Sequence, residues 1–303
     1  MSRRAPLVAA VVLVAASDSL ATQQRPTFSA RTDAVSVHVS VKQRNLPVAG
    51  LGADDFELLD NGVRQRIDSV AVEAVPIDLT LFLDTSPSFS GRTEDLKEDI
   101  LEIAQLLRPE DRVRLLTFGT EVNDVFGWRP AGAPLDLETL RIGRVSPVND
   151  GVFAALMHRP APGRRHLVVA MTDGLDFGGA VTSSTVRQTA ARVDAVLHLV
   201  LMASSVRMYP NAPFPWTPSQ PEVGGEARLR EAAELTGGRV HAPILRMNVV
   251  NAFTQAFEDF RTSYVLRYTP AGVAREGWHR IDVAVPGVPR ATIRARRTYF
   301  GGS

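Results

Sequence analysis

A chain of 303 residues with 34 lysines and arginines against 33 aspartates and glutamates carries a formal net charge of +1. It therefore offers no basic field to nucleic acid or an anionic membrane. Without a cysteine it has no disulfide, no thiolate zinc site and no lipid-attachment thiol, and its length suits one large or two modest domains.

The first 21 residues read as a secretion signal: Arg3 and Arg4, an apolar core over 7–16, and small residues at Ser19-Leu20-Ala21. That core is too short to span a bilayer and no later segment reaches spanning length. The mature chain is expected to lack a transmembrane segment and to be secreted or periplasmic. Residues 22–33 form a polar leader. Residues 34–75 are expected to be β-structure. Val35, Val37, Val39 and Val41 alternate with polar residues over 34–42, and 45–47 is turn-like. Residues 51–62 give a short strand closed by an Asp60-Asn61-Gly62 hairpin turn, and 65–75 read as one further strand.

From 76 to 262 strand and helix patterns alternate, which predicts an α/β unit with a doubly wound, mainly parallel sheet. Residues 77–83 are apolar without alternation, as in a strand buried on both faces. A helix over 93–107 stops before Pro109. Strand 112–118 follows with an antiparallel edge neighbour at 121–126, then a helical pattern over 135–142 and another over 152–157. Strand 166–171, helix 185–193, strand 195–201, helix 228–236, a short strand at 240–242 and helix 248–260 complete the unit. The stretch 208–222 breaks the rhythm with five prolines, Tyr209, Phe214 and Trp216. It is expected either to anchor a partner or to tuck onto its own domain. Residues 263–303 return to strands at 263–268, 279–285 and 291–295. The strand groups at the two chain ends are too small to stand alone, so they are expected to form one β-sandwich. Val35, Val37, Val39, Val265 and Ile281 would face its interior.

Asp84-Thr85-Ser86-Pro87-Ser88 follows the buried run 77–83 directly. A carboxylate and two hydroxyls at the carboxyl end of such a strand suit a hard divalent cation. The plainer reading is a turn in which Asp84 and Ser86 cap the next helix. A second apolar strand ends in Thr172-Asp173-Gly174, and the loop 145–151 between them carries Ser146 and Asp150. Asp173 and Asp176 are also three apart at a turn; Asp176 fits a helix cap or a group orienting Asp173 better than an acid/base pair. Phosphate-loop, dinucleotide and hydrolase-elbow motifs are absent. The six histidines are dispersed, and His166 and His198 are expected to be packed or edge residues of strands.

In this order the three motifs resemble the von Willebrand factor type A domain and its metal-ion-dependent adhesion site. The resemblance implies that Asp84, Ser86, Ser88, Ser146 and Asp173 hold Mg²⁺, or Mn²⁺ or Ca²⁺. Ser146 stands where that family has threonine, keeping the hydroxyl but losing the methyl that stiffens χ1. Thr139, the other candidate, falls in the helical pattern over 135–142. The mature chain also resembles a group of secreted, mostly acidobacterial proteins related to these domains. The residues that carry this are Arg25-Pro26-Thr27-Phe28, Leu51 with Asp54-Asp55-Phe56, and Tyr264-Val265-Leu266-Arg267-Tyr268-Thr269-Pro270. This second resemblance implies architecture; the adhesion-site resemblance implies an exported, non-enzymatic module binding a protein partner whose carboxylate completes the metal's shell. The alternatives are a structural module with a metal-free site and, third, a metal-dependent hydrolase. Oligomeric state is left open.

Overall fold

The computed structural model describes residues 34–72, 75–86, 89, 92–119, 121–177, 179–202, 225–242 and 249–302. The signal sequence, the leader, Ser88 and the aromatic stretch 208–222 lie outside the described residues.

The central sheet is built from β6 (Ile77–Asp84), β7 (Arg112–Phe118), β8 (Val122–Pro130), β9 (Arg165–Thr172), β10 (Val196–Leu201) and β11 (Val240–His241). Their order is β11-β10-β9-β6-β7-β8, parallel except for the antiparallel edge strand β8. Every residue of β6 and β9 is buried, which explains why neither run alternates. Leu79, Leu81 and Leu83 pack into one apolar cluster with Leu96 and Ile100 of α1 (Thr93–Ala104) and Phe253 and Phe257 of α5 (Val249–Arg261). Phe82 belongs to a second cluster with Val152 of α2 (Val148–Leu156), Val186 of α3 (Ser183–Ala190) and Leu229 of α4 (Gly225–Leu235). Gly151 lets α2 reach the sheet: a Cβ there would lie 1.6 Å from Cζ of Phe82.

The chain runs β6, β7, β8 outward to one side and then returns to lay β9 on the other side of β6. The carboxyl ends of β6 and β9 therefore adjoin, with Leu83 opposite Met171. A crevice at such a reversal is where open α/β sheets place ligands.

The expected helix over 135–142 is absent. Leu137 and Leu140 are buried three residues apart, which imitates a helical face, but they pin an irregular loop to the core. The Asp136 carboxylate accepts from the Glu138 N–H at 3.0 Å, giving the backbone a turn in place of a helix. Thr139 is exposed there.

The chain ends supply two antiparallel sheets. One is ordered β14 (Thr292–Ala295), β1 (Val35–Gln43), β12 (Tyr264–Tyr268), β5 (Ser69–Ala71), with β2 (Leu46–Pro47) also on β1. The other is ordered β15 (Thr298–Gly301), β13 (Gly277–Ala284), β3 (Glu57–Asp60), β4 (Val63–Gln65). Each sheet mixes strands from before and after the α/β unit, and both contribute to one cluster containing Val37, Val39, Leu58, Leu266, Ile281 and Tyr299. The expected strand 65–75 is two pieces in different sheets, and β15 was not foreseen. Val265 corrects the expected interior face. It pairs with His38, so alternation turns it away from the cluster face occupied by Tyr264, Leu266 and Tyr268. Asp60, fully buried, accepts from Tyr268 Oη and Tyr299 Oη, both at 2.9 Å, and its Oδ1 lies 2.7 Å from His279 Nδ1.

Polar groups join these sheets to the α/β unit. Arg165 lies 4.0 Å over the Phe260 ring and donates to His38 Nδ1 and Ser263 Oγ, both at 2.8 Å. Asp259 pairs with Lys42 and Arg239, and Arg296 with Asp194.

Candidate metal centre

Asp84 ends β6 with no solvent exposure. Its Oδ1 accepts from the Ser86 N–H at 2.8 Å, a tight turn at the strand end. Neither Asp84 nor Ser86 caps α1, which has no side-chain cap and begins after Arg92, so the plainer reading of this motif is not what is seen. The Oδ2 accepts from Thr172 Oγ1 at 2.9 Å and from Ser146 Oγ at 3.3 Å. Thr172 is the residue that sequence reasoning missed. Its local pattern marks it only as the neighbour of Asp173, and the pairing of two parallel strands is what brings its hydroxyl to Asp84.

Asp173 is 4% exposed, and its Oδ1 accepts from the Leu175 N–H at 3.0 Å. Burial pushes the Asp84 carboxyl up to about 7, and the negative charge of Asp173 pushes it the same way. The hydrogen bonds from Ser86 and Thr172 oppose this without cancelling it. All the hydrogen-bond donors to Asp84 among the described residues are neutral.

The loop bringing Ser146 is fastened at several points. Gly143 N–H donates to the Thr85 carbonyl at 2.7 Å, and Val145 N–H to the Gly119 carbonyl at 2.8 Å. Gly119 and Gly143 touch so closely that a Cβ on Gly119 would stand 2.5 Å from the Gly143 Cα. Ser146 and Phe177 then exchange backbone hydrogen bonds of 2.7 and 3.3 Å. Asp176 accepts from the Asn149 N–H at 2.8 Å, satisfying the amino end of α2. It caps the helix before it in sequence. Asp150 accepts from the N–H groups of Ala180 and Val181 at 3.1 and 2.7 Å, holding the loop after β9.

The crevice thus gathers Asp84, Ser86, Ser146, Thr172 and Asp173, all buried. Ser88 lies outside the described residues, and Thr139 is remote on the exposed loop. His166 and His198 are buried in strands, within 2.9 Å of Thr80 Oγ1 and 3.1 Å of His241 Nε2. Among the described residues no three His, Asp or Glu side chains gather around a metal position. Two carboxylates with hydroxyls fit a hard cation that keeps several waters, and do not fit a nitrogen-seeking one.

No family model matches the chain, and no curated protein matches it. Among solved structures it is similar to proximal thread matrix protein 1 from the mussel byssus, at 13% identity and a TM-score of 0.46, over 61% of this chain and 48% of that one. A further structure of that mussel protein has a zinc-occupied MIDAS motif. The conserved hypothetical protein BatB from Bacteroides thetaiotaomicron is similar at 15% identity and a TM-score of 0.43, over 60% and 99% of the two chains. The ArnB paralog VWA2 from Sulfolobus acidocaldarius is similar at 14% and 0.45, over 71% and 53%. The chain therefore spans about half the length of the mussel and Sulfolobus proteins it matches.

Proposed function

We propose that the chain is an exported, non-enzymatic von Willebrand type A module that binds a protein partner through a divalent cation. One observation carries this reading. Two buried carboxylates, Asp84 and Asp173, occupy adjoining strand ends beside the Ser146 hydroxyl, and among the described residues only neutral groups donate to Asp84. Asp84, Ser86, Ser146 and Asp173, joined by Ser88, would hold Mg²⁺, or Mn²⁺ or Ca²⁺. When bound, the cation supplies an electrophilic position for a carboxylate of the partner. Thr172 and the Ser86 N–H aim Asp84, while Asp150 and Asp176 hold the two loops from which Ser146 and Asp173 project.

Calorimetric titration of the chelator-stripped protein with Mn²⁺ and Mg²⁺ tests this. One site is expected, lost in Asp84→Ala and in Asp173→Ala. Equal binding by Asp84→Ala sinks the proposal. A second reading, a structural module without metal, draws on the neutral hydrogen bonds that Asp84 already accepts from Ser86, Ser146 and Thr172. Under it, neither ion raises the melting temperature, as a ligand of the native state must.

We further infer a doubly wound unit over 76–262 inserted into a sandwich made by 34–75 and 263–303, preceded by a signal over 1–21 and a leader over 22–33. The shared cluster of Val37, Val39, Leu266 and Ile281 supports the sandwich. The described residues include no helix long and apolar enough to cross a membrane. Deleting 263–303 should expose the amides of 34–72 to hydrogen exchange. If they stay protected, the shared sandwich is wrong.

A further inference from the structure

β14 is an outer strand of its sheet. Its register pairs Ser40 with Arg294 and Val39 with Ala295, and the Arg296 N–H donates to the His38 carbonyl. Antiparallel alternation follows from that bond: Thr292 and Arg294 turn their backbone groups toward β1, while Ile293 and Ala295 turn theirs outward. β13 presents a matching edge. The Asn61 N–H donates to the Arg280 carbonyl, so Arg280, Asp282 and Ala284 bond to β3, and Ile281 and Val283 face the opposite side. On that side the pairing with β15 ends at Arg280 opposite Thr298, and the Arg297 carbonyl takes the Ile281 N–H at 2.8 Å. Beyond it the N–H and C=O of Val283 have no backbone partner among the described residues.

Between these two edges lies a cavity of about 500 Å³, with Ile281 and Val283 on one wall and Ile293 and Ala295 on the other. It continues along β14 into a second of about 360 Å³. There Arg230, Arg239, Arg294 and Arg297 surround a single acid, Glu234. Arg297 pairs with Glu234, Arg239 with Asp259 and Arg230 with Glu226. Arg294 has no ion-pair or hydrogen-bond partner among the described residues. The two faces of the slot differ accordingly. Ile293 and Ala295 share the face of Val41 and Val39, toward the apolar cluster, and Arg294 shares that of Ser40, away from it.

We infer that this slot binds an extended segment of a partner protein by strand addition. The segment carries small or β-branched apolar side chains at alternate positions and an acidic side chain opposite Arg294. Backbone pairing with an open edge gives affinity, and alternate side chains give selectivity. The four residues of β14 span about 13 Å at roughly 3.3 Å per residue, enough for a segment of four or five residues. The site is separate from the metal centre and its occupation requires no cation.

The probe is a fluorescent Thr-Val-Glu-Val-Thr-Val peptide, titrated by anisotropy against the full chain in EDTA. Two control peptides are the same sequence N-methylated at its central valine and the Glu-to-Lys sequence. Ile293→Pro removes an outward N–H while leaving the β1 ladder whole, since edge strands accept proline where the donor faces solvent. Arg294→Glu reverses the charge. Saturable binding is expected, weakened at least tenfold by each control peptide and each variant, with slowed exchange of the Ile293 and Ala295 amides. Variant folding is checked by the urea midpoint; should Ile293→Pro fail to fold, Arg294→Glu and the peptide pair decide. Equal binding of the N-methylated peptide, no binding at millimolar peptide, or protection elsewhere overturns the inference. Self-association abolished by Arg294→Glu overturns it in favour of a second copy of this chain.

Discussion

Asp78 and Asp84 stand at opposite ends of one strand, β6, both with no solvent exposure, and the fold treats them in opposite ways. Burial alone would push the Asp78 carboxyl up. Hydrogen bonds from Arg112, at 3.0 and 2.7 Å, from Arg164 and from His158 outweigh burial and hold it down at about 2. Burial, joined by the like charge of Asp173, pushes the Asp84 carboxyl up to about 7, and its donors among the described residues, all neutral, oppose this without cancelling it. The neighbouring strands make the difference. β7 begins with Arg112 directly opposite Asp78, whereas β9 ends at Thr172 beside Asp84 and is followed by Asp173. α2 stops at Leu156, and beyond it the sheet is covered by His158 and the Trp128 ring, with Arg112 and Arg114 about 5 Å from that ring (5.2 and 5.0 Å). One end is thus closed by cations fixed in the chain. At the other, two carboxylates adjoin, and among the described residues no fixed cation donates to Asp84.

The contrast can be broken most directly at Asp78. Asp78→Ala leaves Arg112 and Arg164 in place around a missing carboxylate, and is expected to cost about 3–5 kcal/mol in urea unfolding. A loss below about 1 kcal/mol, the range of an exposed pair, would make this cluster ornamental. Gly151→Ala drives a methyl into the Phe82 ring where α2 crosses the sheet, and should cost about 3 kcal/mol. Restoration by Phe82→Leu in the same background would confirm that the close approach is the cause.

The acid side of the stability curve sharpens the comparison further. The Asp78 carboxyl falls from 3.8 unfolded to about 2 folded. Its contribution is therefore complete above about pH 4 and disappears as the pH falls toward 2. The fall should amount to about 2 kcal/mol and be missing from Asp78→Asn. Asp84→Asn has the reverse sign: in chelating buffer at neutral pH it relieves a buried like-charge pair and should raise stability by about 1 kcal/mol. If it destabilises as Asp78→Asn does, the two ends are not different in kind. The smallest effect is expected from Ser146→Thr, whose extra methyl restricts χ1. Calorimetry should read Mn²⁺ binding tightened severalfold, and unchanged or weaker binding would show that this hydroxyl is already positioned by its loop.

Much of the architecture is legible in local patterns. The unalternated runs before Asp84 and Thr172 announce strands buried on both faces, and the alternation of Val35, Val37, Val39 and Val41 announces a strand with one buried face. Asp60-Asn61-Gly62 announces the β3–β4 hairpin, with both Asn61 and Gly62 at positive φ. The two strand-end aspartates are likewise visible, because each motif sits within a few residues of the strand that carries it. What failed to read was set at longer range. Tyr264-Val265-Leu266 is apolar throughout, so only pairing with β1 decides that Val265 faces away from the sheet cluster. Leu137 and Leu140 have helical spacing, yet burial of an irregular loop satisfies them equally well. The Thr172 hydroxyl reaches a carboxylate 88 residues away, and Asp78 meets Arg112 across 34. The outer edge of β14 follows from strand order, and the unpaired stretch of β13 from the start of β15 at Thr298, opposite Arg280. The sequence by itself determines which segments become strands and helices and which strand ends carry carboxylates, since propensity and periodicity act over a few residues. The tertiary structure decides which charges meet, since register and strand order bring together residues that share no local pattern.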